Sequence, residues 1–385
     1  HFGDKSKTAE HIKNPSKLDH KLSSQICGQC HGVYIYKDAE AGMEYARNGP
    51  MYRPGKNIHD YRYFIQHPGS LGGKMNMDEL EENKDFFQER WWDDGTILAG
   101  GREYTAMRVS ACYTNEKAGI NNISCLDCHS MHHSEPKDQL RNDMVGNQSC
   151  VQCHKEDKYT IDIKLHTYHE VDSSGSSCVN CHMPHTSYAL LGALRSHQIQ
   201  SPSALRSIKY GVPNACNLCH LDKTLDWTQK HLSVRYNHEI IPQTDDQRNI
   251  SAWVLWMLQG DAAQRAIAAW HGGWEPAKNT SDKEWLPPYL IKLLDDPYGV
   301  VRYIAHRSLK SQESFNNFEY DYLSDNNELA LKSNEAMSIW LSEKRNSLSI
   351  KNRPQILILE DGIMNKQEIE RLFSKRNNRP VNIKE

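Results

Sequence analysis

The chain has 385 residues, which is long enough for two domains that each bury a core. Hydrophobic residues make up only 38% of the chain and the mean hydropathy is -0.75, but the nine tryptophans and eighteen tyrosines argue against disorder. We therefore expect something other than side chains to fill part of the interior. The formal charge of -3 gives no basic face for nucleic acid and no polybasic membrane anchor, and the absence of an apolar run of about eighteen residues predicts no transmembrane segment.

Pentapeptides of the form CxxCH dominate the N-terminal part of the sequence. In chain order they are CGQCH (Cys27–His31), CLDCH (Cys125–His129), CVQCH (Cys150–His154), CVNCH (Cys178–His182) and CNLCH (Cys216–His220). Ten of the eleven cysteines belong to these five motifs, and cysteines only three residues apart are unsuited to disulfide pairing. Zinc ligation, thioredoxin-like redox exchange and covalent haem attachment remain as alternatives for a CxxC pair.

The histidine that follows every pair favours haem. Zinc sites do not require histidine at that position, and they normally combine two pairs into one four-ligand site. A redox-active disulfide would occur once, beside a βαβ pattern. The motifs therefore predict five covalently attached c-type haems as the cofactors of this chain.

The spacing within each motif has a mechanical reason. Two cysteines three residues apart lie on one helical turn, so both can form thioethers with the vinyl groups of one porphyrin. The next residue then directs its imidazole to the iron as the proximal ligand. The predicted attachment residues are Cys27, Cys30, Cys125, Cys128, Cys150, Cys153, Cys178, Cys181, Cys216 and Cys219. The predicted proximal ligands are His31, His129, His154, His182 and His220.

Of the twenty histidines, fifteen remain for other roles, and the sixth position of each iron is the expected place for some of them. The predicted distal ligands are His20, His132, His166, His169 and His197. His166 and His169 share one face of a helical turn. His132 follows the proximal ligand His129 by only three residues, so it lies on the proximal side of that haem and would have to bind the iron of a neighbouring haem. Secondary candidates, with a solvated or propionate-bonding role as the alternative, are His59, His133 and His185. We interpret the histidines in or beside the helical region as structural; they are His231, His238, His271 and His306.

Residues 1–240 are predicted to form a multihaem cytochrome c domain with little regular structure. The four motifs from Cys125 to His220 follow one another at 25, 28 and 38 residues, so haem rather than leucine is expected to be the core there. Residues 40–110 hold no cysteine and several glycine-rich turns, and we interpret them as a haem-free insertion or a docking surface. The odd cysteine, Cys112, is either a buried free thiol or forms a disulfide with an upstream or neighbouring chain.

From about Ser251 the apolar residues recur with helical spacing. Residues 251–270 and 288–309 each predict a helix, a short acidic turn and a second helix. Arg265 and Arg302 hold similar places 37 residues apart, near the length of a HEAT repeat. Residues 241–345 are therefore predicted to be a small HEAT-like α-helical domain. Two repeats are too few to stand alone, so they should pack on the haem domain or on another subunit.

Two further local features are predicted near the C-terminus. Asp296 is expected to cap a helix that has Pro297 in its first turn and an apolar stripe from Val301 to Leu309. The tail, residues 346–385, should contain a strand at QILILE and a helix at NKQEIERLFSK. The predicted fold class is mainly α.

The chain resembles multihaem c-type cytochromes with doubled CxxCH motifs, related to the tetrahaem cytochromes of ammonia oxidisers, that carry a HEAT-like C-terminal region. The matching stretches cover most of the sequence from Asn14 to Trp227 and are NPSKLDHKLSSQICGQCHGV, DDGTILAGGREYTAMRVSACY, ISCLDCHSMHH, GNQSCVQCHKE, HTYHEVDSSGSSCVNCHMPHTSY, RSHQIQSPS and GVPNACNLCHLDKTLDW. The resemblance implies distal ligation by His132, His166, His169 and His197. Members often have further haem motifs upstream that this chain lacks, which leaves open an internal start with His1 as a ligand of a haem elsewhere.

Two functions are compatible with these patterns. The first is electron transfer through five haems, mostly ligated by two histidines, that relay electrons between redox partner proteins. A subordinate form of this function is a polymerising extracellular cytochrome, in which the partners are other copies of the chain. The alternative is a multihaem oxidoreductase that acts on nitrite or hydroxylamine at one open haem. Ammonia-forming nitrite reductases typically hold the active haem by a CxxCK motif, and no CxxC here is followed by lysine.

The expected location is periplasmic or extracellular in a bacterium or archaeon. The first residue is histidine, and the start of the sequence does not resemble a charged-then-apolar signal sequence. The chain is therefore expected to be a processed or trimmed product.

Overall fold

The computed structural model describes residues 13–68, 84–99, 102–115, 122–132, 138–188, 191–344, 353–359 and 363–381. Within these ranges the protein is mainly helical, as predicted, and its strands are short. His1, His133 and most of the glycine-rich stretch HPGSLGGK lie outside the described residues. None of the described helices has both the length and the apolar character that crossing a membrane requires.

The helices and strands of the described residues are numbered here in chain order. The first ten helices are α1 (His20–His31), α2 (Ala39–Asn48), α3 (Lys84–Gln88), α4 (Glu103–Met107), α5 (Ala111–Thr114), α6 (Gln148–Val151), α7 (Asp157–Thr160), α8 (Ile163–Thr167), α9 (Cys178–His182) and α10 (Ala204–Tyr210). The later helices are α11 (Ala215–Cys219), α12 (Leu225–Tyr236), α13 (Asp245–Asn249), α14 (Ala252–Gln259), α15 (Ala262–Gly272), α16 (Glu275–Ser281), α17 (Pro287–Ile291), α18 (Gly299–Leu309), α19 (Asn326–Lys344) and α20 (Lys366–Phe373). Antiparallel pairs are formed by β1 (Tyr34–Tyr36) with β2 (Arg62–Phe64) and by β3 (His185–Tyr188) with β4 (Gly192–Arg195).

The described residues fall into two compact units. The first unit is drawn from residues 1–79, 101–183 and 196–201, and the second from residues 80–100, 184–195 and 202–385. The first four CxxCH motifs therefore belong to the first unit and the fifth to the second.

The first unit consists of short helices around a small aromatic core. Its clustered buried hydrophobic residues are Tyr52, Ile58, Phe64, Tyr104, Met107 and Tyr113. Helix α1 begins after Asp19, whose carboxylate accepts hydrogen bonds from the first backbone N–H groups of the helix. Gln25 on α1 accepts a hydrogen bond of 2.9 Å from the backbone N–H of Ile58, so a buried polar contact joins this helix to the turn before β2. Side chains alone thus build only a small core in this unit.

The second unit has a large helical core centred on α14. Every residue from Ala252 to Leu258 is buried, because α14 packs against α15, α17 and α20 rather than facing water. Asp261 and Gln264 form a reciprocal capping box at the start of α15, with hydrogen bonds of 2.9 Å in both directions. On α18 the predicted apolar stripe from Val301 to Leu309 is confirmed as a buried face.

A fully buried ion pair joins the two predicted helix pairs of this unit. The guanidinium of Arg265 binds both carboxylate oxygens of Asp296, with Nε–Oδ2 at 2.7 Å and Nη2–Oδ1 at 3.0 Å, and both side chains are 0% exposed. The predicted cap at Asp296 is wrong, because α18 begins only at Gly299 and Tyr298 is its N-cap residue. Pro297 accordingly lies before the helix and not in its first turn. The Asp296 carboxylate accepts a hydrogen bond from the backbone N–H of Tyr298 but also binds Arg265. The helix pairs lie where the sequence places them, while their HEAT-like character remains a prediction.

The C-terminal tail differs from its prediction in one element. The strand expected at QILILE is wrong, because Pro354–Ile356 form a 3₁₀ turn and Leu357 then adopts a left-handed conformation at φ 53°. Isolated bridges connect Ile358 to Arg353 and Met364 instead of a continuous strand. The helix expected at NKQEIERLFSK is confirmed as α20, which buries Ile369 and Leu372.

Candidate haem-binding sites

Each CxxCH motif lies on a helical turn, as its spacing predicts. The first motif ends α1, the fourth forms α9, and the fifth lies on α11 with its histidine directly after the helix. In the second, third and fifth motifs the backbone N–H of the histidine donates to the carbonyl of the first cysteine, at 2.9, 3.0 and 2.7 Å. This turn brings the two thiols and the imidazole of one motif together, which is the arrangement that attachment of one porphyrin needs.

Proximal histidines of the first unit are oriented through their Nδ1 atoms. The Nδ1 atom of His31 lies 2.8 Å from a carboxylate oxygen of Glu103. Those of His129 and His182 lie 3.0 Å and 3.2 Å from the backbone carbonyls of Asp138 and Gln200. Metal-binding histidines commonly donate their second ring N–H in this way, which leaves Nε2 as the ligand. The three rings are therefore suited to bind iron through Nε2.

Two of the predicted distal histidines lie opposite proximal ones. The ring centroids of His166 and His182 are 6.1 Å apart with planes inclined by 5°, and those of His129 and His197 are 6.1 Å apart with planes inclined by 26°. Two imidazoles that bind one metal from opposite faces, through bonds of about 2.0–2.1 Å, have centroids roughly 6–6.5 Å apart. The donor sets of the second and fourth motifs therefore fit a bis-histidine haem iron.

The electrostatics of the His166–His182 pair also suit metal binding. Burial lowers the pKa of both histidines, and the proximity of the two rings lowers that of His166 further. Both imidazoles are thus held in the neutral form, which is the form that ligates metals. Ile161 and Leu165, which precede His166 in the sequence, are 72% and 68% exposed and offer apolar surface for a porphyrin to cover.

His169 is held in a fixed orientation beside the fourth motif. Its Nδ1 atom lies 2.6 Å from the carbonyl of Thr167, so Nε2 rather than Nδ1 is the nitrogen that would bind a metal. The ring packs against Gly175, where an added Cβ would lie 2.2 Å from the His169 Cδ2 atom. Gly175 is therefore required by close approach, a role that the sequence analysis missed because Gly175 stands in an ordinary serine-rich turn.

We expect a Gly175→Ala variant to displace His169 and to lower the free energy of unfolding by about 1–3 kcal/mol, as overpacking does. If His169 is a distal ligand, the haem-loaded variant should also show a high-spin absorption band that the wild-type protein lacks. Gly42→Ala is the matched control, because the nearest atom to its added Cβ is 3.6 Å away. A fully loaded Gly175→Ala protein with an unchanged spectrum would show that His169 is not a ligand.

The remaining distal candidates, His20 and His132, lie in different surroundings. His20, whose Nε2 atom is buried without a hydrogen-bond partner, lines a cavity of about 400 Å³ together with Leu126 and Asp127 of the second motif. The ring of His20 packs edge-on against Tyr113, with centroids 5.3 Å apart. His132 is exposed in a turn where its backbone N–H donates to the Ser130 hydroxyl. His20 thus has a free nitrogen in a cavity, whereas His132 faces solvent.

Attachment cysteines of consecutive motifs lie beside one another in the first unit. Cys27 and Cys125 share a hydrogen bond, which lowers the pKa of Cys27 to about 7 and raises that of Cys125. Cys150 and Cys178 repeat this relation, and the pKa of Cys150 is lowered to about 7 while that of Cys178 is raised. Porphyrins attached at the first and second motifs, and at the third and fourth, would therefore be neighbours.

The odd cysteine lies close to these attachment sites. Cys112 is a half-buried free thiol whose pKa is raised first by burial and then by the proximity of Cys150 and Cys153. A raised pKa disfavours the reactive thiolate. Whether Cys112 stays a free thiol or forms a disulfide with an upstream or neighbouring chain stays a prediction.

The fifth motif lies in the helical core of the second unit. The Sγ atom of Cys219 is 3.8 Å from the Thr280 hydroxyl, and the His220 ring lies 5.0 Å from that of Trp227. His271, interpreted from sequence as structural, is buried and has a pKa lowered to about 3 by burial. Its ring contacts His185, at a centroid distance of 5.2 Å. Both rings belong to a buried aromatic cluster of this unit.

The second and third motifs lie in a stretch that a known protein family describes. Residues 118–159 match the family model of the doubled CXXCH motif. This match supports a c-type cytochrome-like family, in which such motifs imply covalently bound haem c. No curated protein and no solved structure matches the chain.

Proposed function

We propose that this protein transfers electrons through five covalently bound c-type haems, most of them ligated by two histidines. The observation that carries the proposal is the pair of opposed imidazoles at His166–His182 and His129–His197, each with centroids 6.1 Å apart. Haem c, when bound, supplies a one-electron iron couple. Histidine on both faces leaves that iron no open position for a substrate, so relay of electrons is favoured over chemistry at the metal.

The protein residues hold and orient the cofactors. Ten cysteines anchor the porphyrins, and the Nδ1 hydrogen bonds fix the rings of His31, His129 and His182. The contacts Cys27–Cys125 and Cys150–Cys178 support an arrangement of adjacent haems, which is the arrangement that stepwise transfer of single electrons requires. We propose redox partner proteins, or further copies of this chain in a filament, as donor and acceptor, and a periplasmic or extracellular location.

The test is a measurement of mass and of spin state on the purified holoprotein. We expect a mass increase equal to five haems and a low-spin absorption spectrum in both oxidation states, with no rapid binding of carbon monoxide after reduction. As a matched control, Cys216→Ser/Cys219→Ser should remove the mass of one haem. A mass without haem adducts would contradict the proposal, and rapid carbon monoxide binding by the wild-type protein would favour a nitrite or hydroxylamine oxidoreductase.

A further inference from the structure

The proximal histidines of the first unit differ in the charge of the group that orients them. His129 and His182 face backbone carbonyls, which are neutral, at 3.0 Å and 3.2 Å. His31 faces the carboxylate of Glu103 at 2.8 Å. A carboxylate accepts a stronger hydrogen bond than a neutral carbonyl and raises the basicity of the ligated imidazole.

Glu103 is held in place by its two neighbours on α4. The ring of the buried Tyr104 covers Gly28 inside the first motif so closely that a Cβ on Gly28 would lie 2.6 Å from the Tyr104 Cδ1 atom. The Thr105 hydroxyl accepts a hydrogen bond of 2.9 Å from the backbone N–H of Val33, two residues after the motif. Glu103 and Tyr104 therefore contact the first motif and Thr105 contacts the chain just after it, so the position of the Glu103 carboxylate follows from the packing of this helix.

We infer that Glu103 is a positioning residue that lowers the reduction potential of the haem attached to the first motif. The inference rests on the proposed electron-transfer function. A more basic ligand donates more electron density and stabilises the oxidised iron relative to the reduced iron. The haem of His31 is then the low-potential member among the haems of His31, His129 and His182, and electrons pass from it toward the other two.

The surroundings of His31 support the same assignment. The Glu103 side chain is 20% exposed, so water screens its charge only in part. Arg102 is the neighbouring cation and opposes Glu103, but its effect on the pKa of His31 is smaller than that of the hydrogen-bonded carboxylate. A first haem of low potential is suited to accept electrons from a redox partner.

The test is a spectroelectrochemical titration of the holoprotein with Glu103→Gln, in which the amide oxygen still accepts the Nδ1 hydrogen bond but the charge is lost. We expect the ratio of oxidised to reduced iron at one haem to fall at least tenfold at a fixed potential, a shift of about 59 mV for a one-electron couple. The haem of His129 should shift by less, because Glu103 also interacts electrostatically with His197, the histidine opposed to His129. The remaining haems should keep their potentials and the spectrum should stay low-spin. Glu44→Gln is the matched control, because it removes the same charge from a carboxylate that binds Asn48 and not a histidine.

Two additional variants keep the inference testable if Glu103→Gln assembles poorly. Glu103→Asp retains the carboxylate, so the first haem should keep most of its low reduction potential. Cys27→Ser/Cys30→Ser removes the first attachment site and should delete the low-potential component of the titration. A fully loaded Glu103→Gln protein whose titration curve superimposes on that of the wild type would overturn the inference but leave electron transfer standing. If Cys27→Ser/Cys30→Ser deleted a high-potential component instead, the inference would be overturned as well. A wild-type protein without haem would refute the proposed function itself.

Discussion

An Asp296→Ala variant should lose about 3–5 kcal/mol of unfolding free energy in the second unit, the usual cost of breaking a buried ion pair by removing one partner. Arg265 is 0% exposed and has no route to water, so it would keep an uncompensated charge inside the core. The carboxylate also accepts a hydrogen bond from the backbone N–H of Tyr298 at 3.0 Å and contacts the guanidinium of Arg376 at 3.2 Å. The substitution therefore strands several donors at once.

Denaturant unfolding of the holoprotein, followed by circular dichroism, measures this loss. The matched control is Asp245→Ala, which breaks a surface ion pair with Arg248 in which the Asp245 side chain is 87% exposed, and which should leave the unfolding free energy nearly unchanged. Equal stabilities for the two variants would show that the buried pair contributes no more than an exposed one.

A His166→Ala variant is expected to convert one haem from low-spin to high-spin and to open it to carbon monoxide. The His166 ring lies 6.1 Å from that of His182, nearly parallel to it, and alanine has no group that could occupy the sixth position of the iron between them. The expected gain is one carbon monoxide bound per chain after reduction, against none in the wild type. Absorption and electron paramagnetic resonance spectra measure the change in spin state.

His238→Ala is the matched control for this experiment. The His238 ring packs beside Tyr236 in the second unit, and its loss should leave all haems low-spin. A fully loaded His166→Ala protein that remains low-spin and excludes carbon monoxide would assign the sixth ligand of the fourth haem to another residue.

Features that depend on local spacing could be predicted from the sequence. The CxxCH motifs form helical turns because their chemistry is set by residues three and four apart. Helices α15 and α20 follow from apolar periodicity for the same reason, whereas α14 is a continuous apolar run that is buried on all sides. The closeness of His166 to His182 is also partly local, since only sixteen residues separate them.

Features that depend on distant contacts could not be predicted. Glu103 is 72 residues from His31 and carries no motif, so nothing in the sequence pairs them. Asp296 has the sequence context of a helix cap, but a tertiary ion pair with Arg265 takes its carboxylate. At QILILE a run of four apolar residues suggested a strand, and the turn at Pro354–Ile356 outweighed that local preference.

The small aromatic core of the first unit has a consequence for biogenesis. Where a polypeptide buries little apolar surface of its own, the free energy of cofactor attachment becomes free energy of folding. With the proposed haems, maturation and folding of the first unit are then a single coupled process. A host that lacks an apparatus for thioether ligation would accumulate chains whose first unit is open to proteases.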